Sequence, residues 1–85
     1  MLKSLHHLMM EVAMQRLVYE GCKLEQVLKL RGMSKVDLAI KMDVGKSAVT
    51  NWCNGTNFMS IENLFLACHI LHCEPSDIYK FRPVR

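Results

Sequence analysis

Lys46, Ser47, Thr50 and Asn51 lie close together in the chain, and all four side chains carry hydrogen-bonding groups. They alternate with Val49 and Trp52, whose spacing turns them to the opposite side of a helix. The whole segment from Met33 to Gly55 has the spacing of two helices that cross through a short turn. Ala39 is small where the helices approach, and Leu38, Val44, Val49 and Trp52 form the apolar seam that would fix their crossing. Charge follows the same segment. Between Lys23 and Lys46 there are six cations (Lys23, Lys29, Arg31, Lys35, Lys41, Lys46) against three acids (Glu25, Asp37, Asp43), whereas the stretches on either side are each neutral. A basic middle of this kind suits a surface that faces phosphate, although solvated helices also carry such charges.

Other chemistry finds less support. No carboxylate pair, nucleophile with its base, or phosphate-cradling loop is visible, so the chain does not read as an enzyme and needs no cofactor. Cys22, Cys53, Cys68 and Cys73 include no CxxC pair. Cys68 and His72 would share a helical face, and His6 and His7 could add nitrogen ligands for zinc. The simpler expectation is that the late cysteines are small core residues and no metal is bound. Trp52 reads as core and not as a base-stacking platform, and His69 and His72 as surface or helix-end residues.

The elements that must position these residues are short. The chain has 85 residues, 51% of them apolar, with only four glycines and two prolines, which suits one packed helical domain. No apolar run reaches the roughly 20 residues needed to span a bilayer, so the default location is the cytoplasm. From Leu2 to Glu20 there is neither glycine nor proline, and Gly21 follows, which predicts one long N-terminal helix over about 2–20. A second helix is expected from about Lys23 to Arg31, ended by Gly32. A third starts at Ser34, with Asp37 completing a capping-box-like pair, and ends near Asp43. A fourth begins around Gly45 and ends before Asn54-Gly55. Ser60 caps a helix to about Leu71, and Pro75 opens a last turn through Tyr79. The expected division is an additional N-terminal helix (1–22), a DNA-binding domain (23–80) and a C-terminal tail (81–85).

With Leu38-Ala39, Val44, Val49, Trp52 and Asn54-Gly55 in this order, the segment resembles the lambda-repressor-like group of helix-turn-helix domains, the Cro/C1-type or XRE family. Gly45-Lys-Ser-Ala-Val looks especially like the recognition helix of the phage repressors. The resemblance runs from about Leu24 to Ile78, through Leu64, Cys68, Leu71 and Pro75, and leaves Met1 to Cys22 uncovered. Two positions depart from the family pattern: Asp43 stands where a turn glycine is usual, and Gly45 where a polar cap is usual.

The resemblance implies an all-α fold of five short helices, extended here by the N-terminal helix. It implies that Lys46 and Ser47 touch base edges, with Lys46 donating to guanine O6 and N7. Thr50 and Asn51 lie one turn later, where Asn51 pairs with adenine or reaches a backbone oxygen. Lys35 matches a position that holds phosphate and braces the base-contacting residue. Asn54 and Asn57 belong to a loop that clamps the DNA backbone, and Gly45 lets the main chain approach phosphate. It further implies a transcriptional regulator, most simply a phage- or prophage-type repressor that binds a palindromic operator as a homodimer. The helix after Ser60 is apolar almost all round, and such surplus apolar surface also calls for a second subunit or for cover by the N-terminal helix. The competing expectation is an antitoxin-like module that holds a partner protein through its first helix and the Phe58-Met59 region.

Overall fold

The computed structural model describes residues 16–84. Within them the order is strand β1 (Arg16–Cys22), helices α1 (Leu24–Leu30), α2 (Lys35–Met42), α3 (Lys46–Cys53), α4 (Ile61–Leu71) and α5 (Pro75–Ile78), and strand β2 (Tyr79–Val84).

Local chemistry starts and stops most of the helices. At the head of α2, the Asp37 N–H donates to Ser34 Oγ and the Ser34 N–H donates to Asp37 Oδ2, both at 3.0 Å. That reciprocal pair satisfies two amides that the first helical turn leaves free. Asp43 ends α2 in the left-handed conformation, with φ 57° and ψ 47°. Ser60 Oγ accepts from the Asn63 N–H at 3.1 Å to start α4, and His72 closes that helix at φ 52°. Pro75 occupies the first turn of α5, where the missing N–H breaks no helical bond.

Every helix contributes to one core. Leu24, Leu28, Leu38, Val49, Leu71 and Ile78 are its largest fully buried side chains, joined by Val27, Ala39, Met42, Trp52, Met59, Ala67 and Cys68. Arg31 ties the first helix to the fourth: its Nε donates to the Leu71 carbonyl at 2.6 Å and its Nη2 to the His72 carbonyl at 3.1 Å. A cation at the end of a helix also complements the negative end of the helix dipole. Arg31→Ala should therefore lower stability by about 1–3 kcal/mol, read as a drop in the urea midpoint at an unchanged slope. An unchanged midpoint would show that these two bonds contribute nothing net.

The ends of the described chain depart from the all-α expectation. Arg16–Glu20 is strand and not the last turn of a helix over 2–20, and residues 1–15 of that expected helix lie outside the described residues. The expected C-terminal tail at 81–85 is, as far as Val84, part of β2. The two strands pair antiparallel, Arg16 with Val84, Val18 with Arg82, Tyr19 with Phe81 and Cys22 with Tyr79, with a bulge at Glu20. The physical reason is that Leu17-Val-Tyr and Tyr79-Lys-Phe are β-favouring stretches that stabilise one another only when paired. Gly21, expected to end a helix, has φ 109° beside the bulge, a conformation that side-chain-bearing residues avoid.

The apolar excess on α4 is visible directly. The helix buries Ala67, Cys68 and Leu71 but leaves Ile61, Phe65 and Leu66 exposed. Near its N-terminus an aromatic cluster forms, with the Tyr19 ring centroid 5.2 Å from those of both Phe58 and Phe81, and Phe58 5.4 Å from Tyr79. Tyr79 Oη accepts from the Met59 N–H at 2.8 Å, which fixes the loop before α4 to the ribbon.

Candidate nucleic-acid interface

The turn between α2 and α3 consists of Asp43, Val44 and Gly45, and it is locked from both sides. The Val44 N–H donates to the Ala39 carbonyl at 3.0 Å, and Asp43 supplies the left-handed residue that reverses the chain. Ala39 is 4% exposed and Leu38 fully buried, so the two helices meet across a small residue and a large one. Val49 and Trp52 complete the seam from α3 as buried side chains, and Val44 packs against them half-buried. All five apolar positions singled out in the sequence thus lie on the inner side of the motif.

The other side of α3 is polar. Lys46 and Ser47 are exposed, and Thr50 and Asn51 are half-buried on the flank of the same helix. Gly45 is the N-cap, extended at φ −73° and ψ 151°, and among the described residues no side chain caps the first amides of α3. A Cβ built on Gly45 would meet only Ser47 Oγ, at an ordinary 3.7 Å. Among the described residues nothing demands glycine here.

After α3 the chain turns back through Gly55, at φ 82°. Asn54 Oδ1 accepts from the Thr56 N–H at 3.0 Å and from the Thr56 hydroxyl at 2.5 Å. The Asn51 carbonyl accepts from the backbone of Thr56 and Asn57 at 2.9 and 3.3 Å. Asn57 itself is exposed. The side-chain oxygen of Asn54 is therefore spent on its own loop, which leaves its amide as the outward-facing donor group.

Lys35 stands at the first position of α2, and the structure gives it a partner that sequence reasoning missed. Its Nζ lies 3.1 Å from Glu25 Oε1, and Lys29 reaches the same carboxylate at 3.8 Å. The two lysines hold the Glu25 carboxyl below its usual range, with the Lys35 hydrogen bond as the largest cause. The Asp37 carboxyl is likewise low, first because of the Ser34 amide it accepts from. Both groups thus titrate lower in the folded chain than in the unfolded one. Their contribution is in place above the ordinary carboxylate range of about 4 and is lost as pH falls through the folded values. Urea midpoints should accordingly fall as the pH drops below about 4, and Asp37→Asn should flatten that fall; an identical pH profile in the variant would refute the assignment.

The cysteines are poor candidates for chemistry. All four are free thiols, Cys68 buried and the others half-buried. Burial pushes Cys53 up to about 11 and Cys68 up to about 12, so thiolate is scarce at neutral pH. Among the described residues no three His, Cys, Asp or Glu side chains gather in a way that could hold a metal ion. No helix among them is long and apolar enough to cross a membrane.

Two short helices locked across a tight turn, the second with a buried apolar side and a polar outer side, define a helix-turn-helix module. The chain belongs to the Cro/C1-type HTH DNA-binding domain family, whose pattern matches residues 23–83. It is similar to a crystal structure of the transcriptional regulator VanUg, with 28% identity and a TM-score of 0.59 over 82% of this chain and 89% of that one. A comparison with curated proteins gave no match.

Proposed function

We propose that this chain is a sequence-specific, double-stranded-DNA-binding transcriptional regulator, a repressor of the phage or prophage type, which reads a palindromic operator as a homodimer through α3. The observation that carries this reading is the division of α3 into two sides: Val49 and Trp52 are buried in the domain, while Lys46 and Ser47 face outward with Thr50 and Asn51 on the same helix. Buried anchors set the helix rigidly, and its polar side has the dimensions and donors to enter a major groove.

Within residues 23–80, Lys46, Ser47, Thr50 and Asn51 address base edges, and Lys35, Gly45, Asn54 and Asn57 address the DNA backbone. The ion pair with Glu25 does not remove Lys35 from this role. A pair open to solvent on the Glu25 side is worth little in water, so a phosphate can take over the half-buried ammonium at small cost. Gly45 supports the reading because its own surroundings leave room for a side chain, whereas an approaching phosphate would not.

Selecting bound duplexes from a random pool tests the proposal. The expected result is an inverted repeat whose half-sites are centred about 34 Å apart, one turn of B-DNA. Enrichment of no motif would refute sequence-specific reading, and enrichment of a single unrepeated half-site would refute the homodimer on a palindrome.

A further inference from the structure

The ribbon β1–β2 has one edge suited to a further strand and one that is not. Proline sits in a paired strand where its nitrogen faces away from the neighbour, so Pro83 takes a donor from the outer edge of β2. No proline interrupts β1, and among the described residues no other strand covers its outer edge. A two-stranded ribbon is also marginal on its own and gains from added strands.

The faces of the ribbon are equally unequal. Cross-strand partners share a face, so Leu17, Tyr19, Phe81 and Pro83 form an apolar one, on which Leu17 is 67% exposed and Phe81 51%. The opposite face carries Arg16, Val18 and Arg82, joined by Glu20, whose carboxylate lies 2.8 Å from Arg82 Nε.

Along β1 the order Arg16, Leu17, Val18, Tyr19, Glu20 is chemically self-complementary about its middle residue. If a second β1 runs antiparallel beside the first with a two-fold axis at Val18, Arg16 falls opposite Glu20 of the partner subunit. Leu17 then falls opposite Tyr19 of the partner subunit, and both pairs occur twice. Slipping the register by one residue would place charged side chains against the apolar face.

We propose that a second copy of this chain docks on the outer edge of β1, antiparallel and in this register, so that two ribbons join into one four-stranded sheet. The edge supplies main-chain hydrogen bonds, and the Arg16–Glu20 pairs supply the register. This rests on the homodimer reading for its partner and adds the surface that holds it.

Complementary charge variants of the full chain, followed by sedimentation equilibrium at low salt, test the interface. In Arg16→Glu alone, acids face acids across the axis; in Glu20→Arg alone, cations face cations. Each should weaken the dimer at least about tenfold, and an equimolar mixture should recover it, because the mixed dimer has opposite charges at both positions. Val18→Cys should form an intermolecular disulfide with oxidised glutathione, two cysteine thiols yielding one disulfide while the glutathione disulfide is reduced to two thiols. A monomeric wild type, charge variants that dimerise normally, a mixture no tighter than its components, or no cross-link would each overturn the proposal. DNA binding is read separately on the same samples. A β1-linked dimer that ignores DNA sinks the regulator reading and spares the interface, whereas a DNA-binding monomer does the reverse.

Discussion

Trp52→Ala is expected to bring the domain close to unfolding. Truncating a buried aromatic residue removes both its transfer free energy and its packing partners, a loss of about 3–5 kcal/mol. Trp52 is 6% exposed and belongs to the core shared by all five helices. A chain of this length has a total stability of roughly 4–13 kcal/mol, so the loss takes a large share of it. Urea unfolding followed by circular dichroism should show a midpoint far below that of the wild type, or no folded baseline at all. A loss under about 1 kcal/mol would mean that the indole does not hold α3 in place, and the polar side of that helix would lose its fixed direction. Trp52 thus bears on function through packing alone.

The second large effect is on recognition. Lys46→Ala and Asn51→Ala should each remove roughly 1–3 kcal/mol of discrimination, about 5- to 150-fold, between the selected duplex and a scrambled one. Neither side chain is buried, so the urea midpoint of both variants should stay near that of the wild type. Lys35→Ala should behave differently. If Lys35 holds a phosphate as proposed, the variant should weaken binding to every duplex and reduce the slope of log affinity against log salt by about 1. Anisotropy titrations at two salt concentrations separate the outcomes. If Lys46→Ala and Lys35→Ala gave the same pattern, the division between base-reading and phosphate-holding residues would be wrong.

The helix-turn-helix was legible in the sequence because its determinants are local. Ser34 and Asp37 lie three residues apart and cap one another, Ser60 caps the next helix, and Asn54-Gly55 closes the third. Asp43, which stands where a turn glycine is usual, takes the left-handed conformation at φ 57°, one that Asp adopts more readily than most side-chain-bearing residues. The burial of Leu38, Ala39, Val49 and Trp52 follows from helical spacing.

What the sequence concealed is non-local. β1 finds its partner about sixty residues away, and without β2 the stretch from Leu2 to Glu20 looks like an uninterrupted helix. The alternation of Leu17, Tyr19 and then Tyr79, Phe81 was the available signal, and it is short on each side. Glu25 and Lys35 sit on different helices, so no periodicity within one helix could pair them. The same holds for Arg31, one of the six cations of the basic middle, whose partners are the Leu71 and His72 carbonyls at the end of α4.

The most direct measurement replaces atoms of the DNA and leaves the protein untouched. In the selected duplex, 7-deazaguanine substituted one position at a time removes a single major-groove acceptor and leaves pairing and phosphates in place. With α3 in the groove, at least one position per half-site should lose about tenfold or more in affinity, and Lys46→Ala should be insensitive to that same substitution. Wild-type affinity at every substituted position, together with sensitivity to changes in the minor groove, would contradict the account.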